Sequence, residues 1–479
     1  MITVQPISRR KFLKETAVAS AFLASGGLLA ACGGSSSSSA KPTSLNMLYA
    51  TVEADSDAVK AVLPDFKSVF GFDINLDTIP YNALQQKVFA ELASSSSHYD
   101  IIIVDTPWMP GLTGKVEPLS KYIKNSKLND IAKPDLQDFI AKVFYDTAVY
   151  NPSKTYLHYP DVTQPIDVDT ITHQGFEIYG FPLQANVLTM SYRKDMFDDP
   201  HEQAAFQQQY KKPLAVPQTW DDFSTVAQFF TRPGQRLYGT TLMPGDGDWA
   251  TDDFKTLLAS WGGNGHLVTD NFNLGFATPA GVEALSFYSD LINKYKVTPP
   301  GVTEFSWDTA ASTFGSGLTS MSMNYHNVSL NPGVKGEVAY AMAPKQVTYG
   351  PHFGTWMLSI NSFSKNKEWA YRAITWFTSG DTQTKMLKQQ LHPSRISGYQ
   401  KAAADSSLVQ QFGNFYDILG KSLAVGVGRP RLTNYSDVDQ AIWVAVNNAA
   451  SGRMTPDASL NQAASRVKSA LQQAGYPVS

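Results

Sequence analysis

The sequence predicts an α/β protein of two lobes, each a mainly parallel sheet flanked by helices. Three observations carry this. After residue 44 the chain alternates short apolar strands with helices of amphipathic spacing. The run YDIIIV at 99–104 is continuously apolar, as expected of a strand buried on both faces. The body from Ser44 to Ser479 is too long for one small domain and fits two of ordinary size.

The elements follow in order. Residues 45–50 (LNMLYA) read as a short strand. Residues 56–70 have helical spacing, with Val59, Val62, Leu63, Phe66 and Val69 on one side. A second strand is expected at 73–79, a helix at 82–94 and the third strand at 99–104. Ligands in such lobes bind beyond the carboxyl ends of the strands. The loops 51–55, 80–82 and 105–109 are therefore the ones to watch.

Residues 1–31 read as an export signal. Arg9, Arg10, Lys11 and Lys14 precede an apolar run at 17–31, shorter than the ~20 residues of a membrane anchor. The pair Arg9–Arg10 in SRRKFLK resembles a twin-arginine signal. Leu29, Ala30, Ala31 and Cys32 resemble a bacterial lipobox, cleaved before the cysteine. Cys32 is the sole cysteine, so no internal disulfide is available to it, and lipidation accounts for it. Residues 32–43 then form the lipidated cysteine and a Ser-rich flexible tether.

Composition excludes other classes. The chain carries a net charge of −3, with 17% charged residues, and has no basic patch of the kind nucleic acid needs. Aromatic residues make up 12%, including nine Trp and 22 Tyr. Some of these must pack the core. An aromatic-lined cleft is the sharper reading, because a pyranose stacks its C–H face on a ring while its hydroxyls bond at the rim. No G-x-S-x-G, H-E-x-x-H or Walker-type motif occurs, and nothing selects a glycosidase carboxylate pair. The Asp-rich MPGDGDWATDDF lacks the spacing of a calcium loop. No enzyme, cofactor or metal is expected.

Residues 45–112, from LNMLYATVEADSD to YDIIIVDTPWMPGL, resemble the first lobe of extracellular solute-binding proteins (family 1) of carbohydrate ABC importers. The resemblance continues in register. YGFPLQANVLTMSYRKDMF (179–197) is similar to the crossover between lobes. PQTWDDF (217–223) is similar to the start of the second lobe's first helix. FGSGLTSMSMNY (314–325) is similar to the return crossing, and FGTWMLSI (353–360) to the strand after it. Arg193 stands where the family often has Asn, and Ser320 where it has Ala.

The resemblance implies the hinged two-lobe, periplasmic-binding-protein-like (type II) fold. It divides the chain into 44–184 with 325–362 as lobe 1, and 185–324 with 363–479 as lobe 2. It implies capture of a sugar or polyol, delivery to membrane permease subunits, and a lipid-anchored monomer on the outer face of the bacterial cytoplasmic membrane. A non-sugar solute, such as a polyamine or peptide, is the alternative. Residues 125–176 are longer than the family usually shows here and read as a surface insertion.

Candidate ligand residues follow from these loops and crossings. Asp105 and Trp108 lie just past the third strand; an N-cap and a core role fit them as well. Glu53 follows the first strand, where an acid also starts helices. Asn186 lies in the first crossover, and Trp249 opens a helix after a Gly/Asp-rich loop. Trp307 matches a position the family uses for ligand. Asn324 and Trp356 flank the return crossing. Arg395 and Arg429 resemble cleft-edge loops, with surface charge as the other reading of Arg429.

Overall fold

The computed structural model describes residues 40–51, 53–153, 162–263, 265–325 and 333–478, with the side chains of 53–55 and 82 outside that description. Cys32, the signal and most of the tether lie outside the described residues, as does the side chain of Glu53.

The expected β-α-β-α-β start is present. Strand β1 (Ser44–Ala50) is followed by the helix Glu53–Phe70, β2 (Asp73–Ile79), the helix Tyr81–Ala93 and β3 (Ile101–Asp105). β1 pairs in parallel with β2 and β3. Every residue of β3 is buried, which explains its unbroken apolar run. Among the described residues the first sheet has the order β2-β1-β3-β11-β6, where β6 is Phe181–Val187 and β11 is Phe353–Ile360. The second sheet has the order β10-β7-β9-β8, from Val338–Met342, Thr189–Arg193, Thr319–Asn324 and Tyr238–Thr241. A two-residue pair, β4 (Val149–Tyr150) with β5 (Glu177–Ile178), stands apart.

Both sheets are mixed beyond β1–β3. β11 runs antiparallel to β3 and β6, and β7 runs antiparallel to β9 and β10. The reason is connectivity. Strands that arrive from the other lobe are not bound by the right-handed crossover that makes neighbours parallel.

Two large apolar cores follow the sheets. The first gathers Leu45 to Leu183 and returns with Trp356 to Leu391; the second gathers Leu188 to Tyr325 and returns with Ala341 and Leu432 to Leu471. Two expected boundaries therefore shift. β10 lies beyond 325 yet belongs to the second sheet. The helix Lys367–Phe377 lies beyond 363, yet Ala370, Tyr371, Ile374 and Phe377 pack into the first core. The stretch 125–176 is also not a pure surface insertion. Its helix Ala141–Ala148 buries Val143 to Ala148, with Phe144 in the first core. An amphipathic helix must bury its apolar stripe somewhere, and sheet one offers the nearest face.

The chain passes between lobes three times: from β6 into β7, from β10 into β11, and between the helices Phe415–Val425 and Tyr435–Ala450. A smaller core, with Ala185, Val187, Phe353, Phe415 and Leu419, sits where these crossings run together.

Candidate functional site

The carboxyl end of β3 sets the first wall. Asp105 is the last strand residue, and Pro107 then turns the chain into a single 3-10 turn ending at Trp108. The hydroxyl of Thr106 ties that turn to the Thr355 carbonyl at 3.0 Å. Across the ladder, Asp105 faces Trp356, Trp356 faces Gln184, and Gly354 faces Asn186. Cross-strand partners share a face. One sheet face thus presents Asp105, Trp356, Gly354 and Asn186 together.

Tyr81 completes this wall. It follows Pro80 at the start of the helix Tyr81–Ala93 and donates its hydroxyl to Asp105 Oδ2 at 2.6 Å. Its ring lies nearly parallel to Trp356 (5.2 Å, 4°) and to Trp108 (6.0 Å, 24°). Trp108 is both a core residue and part of this stack.

The second lobe supplies helix starts. Trp249 is the second residue of the helix Asp248–Leu258, and Trp307 is the first of the helix Trp307–Gly315, capped by Ser306. Asn324 closes β9. Its amide donates to the Trp307 carbonyl at 3.0 Å and its Oδ1 accepts from the Tyr325 N–H at 2.7 Å. Asn324 therefore holds Trp307 and Tyr325 in place. Trp307 meets Trp249 edge-on at 5.2 Å and Tyr81, from the other lobe, at 5.6 Å.

Arg429 comes from the third crossing and spans the two walls. Its Nη2 donates to Asp105 Oδ1 at 3.1 Å, and its Nη1 lies 3.9 Å from Asp248 Oδ2. It is 5% exposed, so this is a buried ion pair and not surface charge. Burial opposes the guanidinium charge and is the largest single effect, but Asp105 together with Tyr81, Asp252 and Tyr435 outweighs it and holds Arg429 well above its usual range. Burial also raises Asp105, against the pull of Arg429 and Tyr81.

Behind them lies a second pair. His352 Nε2 is 2.9 Å from Asp252 Oδ1, while His352 Nδ1 bonds the Val427 carbonyl at 3.0 Å. A carbonyl only accepts, so Nδ1 carries a proton. One further proton must lie between Nε2 and the carboxylate. Burial works against charge on Asp252, but the imidazole, then Arg429 and the Tyr325 hydroxyl at 2.9 Å, hold it below the usual carboxylate range.

Of the residues expected from sequence, Asp105, Trp108, Asn186, Trp249, Trp307, Asn324, Trp356 and Arg429 belong to this inter-lobe region. Arg395 does not. It is 1% exposed and lies over the Phe139 ring at 3.8 Å. It donates to the carbonyls of Thr378, of Asp135 at 2.8 Å and of Pro134 at 2.8 Å. Its planar fork is spent on fastening 134–139 to the first lobe. Tyr81, Asp252, His352, Tyr435 and Asp439 were missed as ligand candidates. Tyr81 had a signal, because it stands in the flagged loop after the second strand. The others sit inside helices or a crossing, where only packing brings them together.

The residues 50–384 match the family model of the bacterial extracellular solute-binding protein, and the chain belongs to that family. It is therefore an exported solute-binding protein of an ABC transporter. Relatives are distant and span several solutes. The "probable amino-acid ABC transporter periplasmic-binding protein" of Sinorhizobium fredii is 23% identical, covering 89% of each chain. The erythritol/L-threitol-binding protein of Mycolicibacterium smegmatis is 23% identical, covering 81% of each. Among solved structures, maltose-bound MalE3 of T. maritima matches with a TM-score of 0.71 at 21% identity, over 89% of this chain and 99% of that one. A ribitol complex from Agrobacterium radiobacter matches with a TM-score of 0.70 at 21% identity, over 90% and 98%.

Proposed function

We propose that the protein captures a sugar or polyol between its lobes and delivers it to a membrane permease. One observation carries this reading. Tyr81, Trp108 and Trp356 from one lobe and Trp249, Trp307 and Tyr325 from the other flank the buried polar set Asp105, Arg429 and Asp252. Aromatic faces take sugar C–H faces, and carboxylates and a guanidinium take vicinal hydroxyls. Relatives whose names carry erythritol, ribitol and maltose support the class.

The mechanism is binding alone. Opening separates the walls, and a solute that touches both favours the closed arrangement by its differential affinity. Moving a population from mostly open to mostly closed takes about 5.5 kcal/mol of such preference. Unpaired buried groups reject solutes that cannot satisfy them. Lipidation at Cys32, twin-arginine export and a monomeric state complete the reading. Palmitate labelling that survives in the wild type and vanishes in Cys32→Ser tests the anchor.

The solute class is tested by a thermal-shift panel of sugars, polyols, amino acids, short peptides and polyamines on residues 41–479, which form one compact unit. A ligand of the folded state raises the midpoint by mass action. A rise confined to carbohydrates or polyols supports the reading. A rise confined to peptides or amino acids overturns it.

A further inference from the structure

The charges between the lobes do not balance in pairs. Asp105 has Arg429 at 3.1 Å and Asp252 has His352 at 2.9 Å, so each of these acids has a direct basic partner. Lys255 is turned to the carbonyls of Gly265 at 3.1 Å and Gly428 at 2.6 Å. Two acids remain. Asp248 has Arg429 only at 3.9 Å, already engaged by Asp105. Asp439 takes a side-chain bond from Thr251 and feels Lys255 only as a more distant charge, and its Oδ1 stays buried with no partner among the described residues.

These two acids stand on facing helices, Asp248–Leu258 and Tyr435–Ala450, which meet where the Thr251 hydroxyl bonds the Asp439 carbonyl at 3.4 Å. Tyr435, one turn before Asp439, is 6% exposed, and its hydroxyl has no partner among the described residues. It feels the charges of Asp439, Arg429, Asp252 and Asp248, which places it among them. The indole N–H groups of Trp249, which follows Asp248 in the chain, and of Trp307, edge-on to Trp249, are also buried without an acceptor among the described residues. Among the described residues no group of three or more His, Cys, Asp and Glu has metal-holding geometry.

We propose that the solute is a polyhydroxylated amine, such as an amino sugar or amino polyol, whose ammonium sits between Asp248 and Asp439. Its hydroxyls take the free indole N–H groups and the Tyr435 hydroxyl, and its carbon frame lies on the Trp249 and Trp307 rings, whose faces also attract cations. This rests on the reading of the inter-lobe site as one for hydroxylated solutes. Without ligand, burial and the neighbouring acids hold Asp248 well above the usual carboxylate range, and burial with Asp252 pushes Asp439 up to about 7. Asp248 then carries a proton near neutrality while Asp439 is in mid-titration there, and an arriving ammonium releases the protons they hold.

The test titrates the full-length protein calorimetrically with matched pairs, each an amino sugar or amino polyol beside its neutral parent, plus spermidine. Runs in two buffers of different ionisation heat read proton release. The expected result is at least about tenfold tighter binding of an amine than of its parent, with net release of protons. That preference collapses in Asp248→Asn and Asp439→Asn, whose thermal midpoints confirm folding. A neutral parent that binds as tightly as its amine overturns the amine and leaves the carbohydrate reading standing. Binding of spermidine alone, with every hydroxylated compound silent, overturns both.

Discussion

Two arginines in this chain resemble each other in sequence context and differ in what their guanidinium groups do. Arg429 faces a carboxylate across the lobe junction, while Arg395 faces backbone carbonyls inside one lobe. Replacing either with Met removes charge at similar volume. Arg429→Met leaves Asp105 buried without its counter-ion, which costs about 3–5 kcal/mol when the acid stays charged. Both midpoint and ligand affinity should fall. Arg395→Met strands three carbonyls and loosens 134–139, so the midpoint should fall by about 2 kcal/mol equivalent or more while affinity holds. Denaturant melts beside ligand titrations separate the two. An affinity loss in Arg395→Met would return that residue to the site. Sequence could not divide these arginines, because both stand in loops within two residues of a proline, Arg395 after Pro393 and Arg429 before Pro430.

At the scale of elements, β11 matters most. A Cβ built on Gly354 would lie 2.8 Å from Arg429 Nη2, the mobile end of a long side chain. Gly354→Ala should therefore push Nη2 off Asp105 and weaken binding about tenfold, with a midpoint that falls but by less than in Arg429→Met, since the counter-ion is displaced and not removed. Unchanged affinity would mean that Arg429 does not hold the ligand site. The helix Tyr435–Ala450 carries a pH signature through Asp439, raised to about 7 by burial. The folded chain binds that proton more tightly than the unfolded chain, whose carboxyl titrates near ~4. Its contribution to stability is full below ~4 and is lost as pH rises to about 7. Asp439→Asn removes the loss, so its midpoint relative to wild type should climb between pH 5 and pH 8. A difference that stays flat with pH would refute the assignment.

The whole molecule is built to bring two walls together. Tyr81 touches Trp307 across the lobes, and the Gln85 amide donates to the Ser436 hydroxyl at 3.3 Å near the rim. Cys32 is the chain's sole cysteine, so in residues 41–479 cysteines placed at Gln85 and Ser436 take dyes specifically. Energy transfer between them should rise when ligand saturates the protein, as the population moves to the closed arrangement. Equal transfer with and without ligand would point to a rigid scaffold.

Local pattern was enough for the first lobe's opening. Strands β1 to β3 and their helices were legible because each buries a face that repeats at period 2 or 3.6, or is apolar throughout. Motif order then gave the family and the two-lobe plan, and loop position gave Asp105, Trp108, Trp249 and Trp307. Only the tertiary structure decided the rest. It turned β10 and the helix Lys367–Phe377 to the lobes they serve, and it drew 141–148 into a core. It also brought Asp248, Asp252, His352, Tyr435 and Asp439 to one place. These residues lie on three separate stretches of chain, and no spacing records which helix faces will meet. Burial and charge pairing depend on that meeting, so they became visible only when the chain had closed on itself.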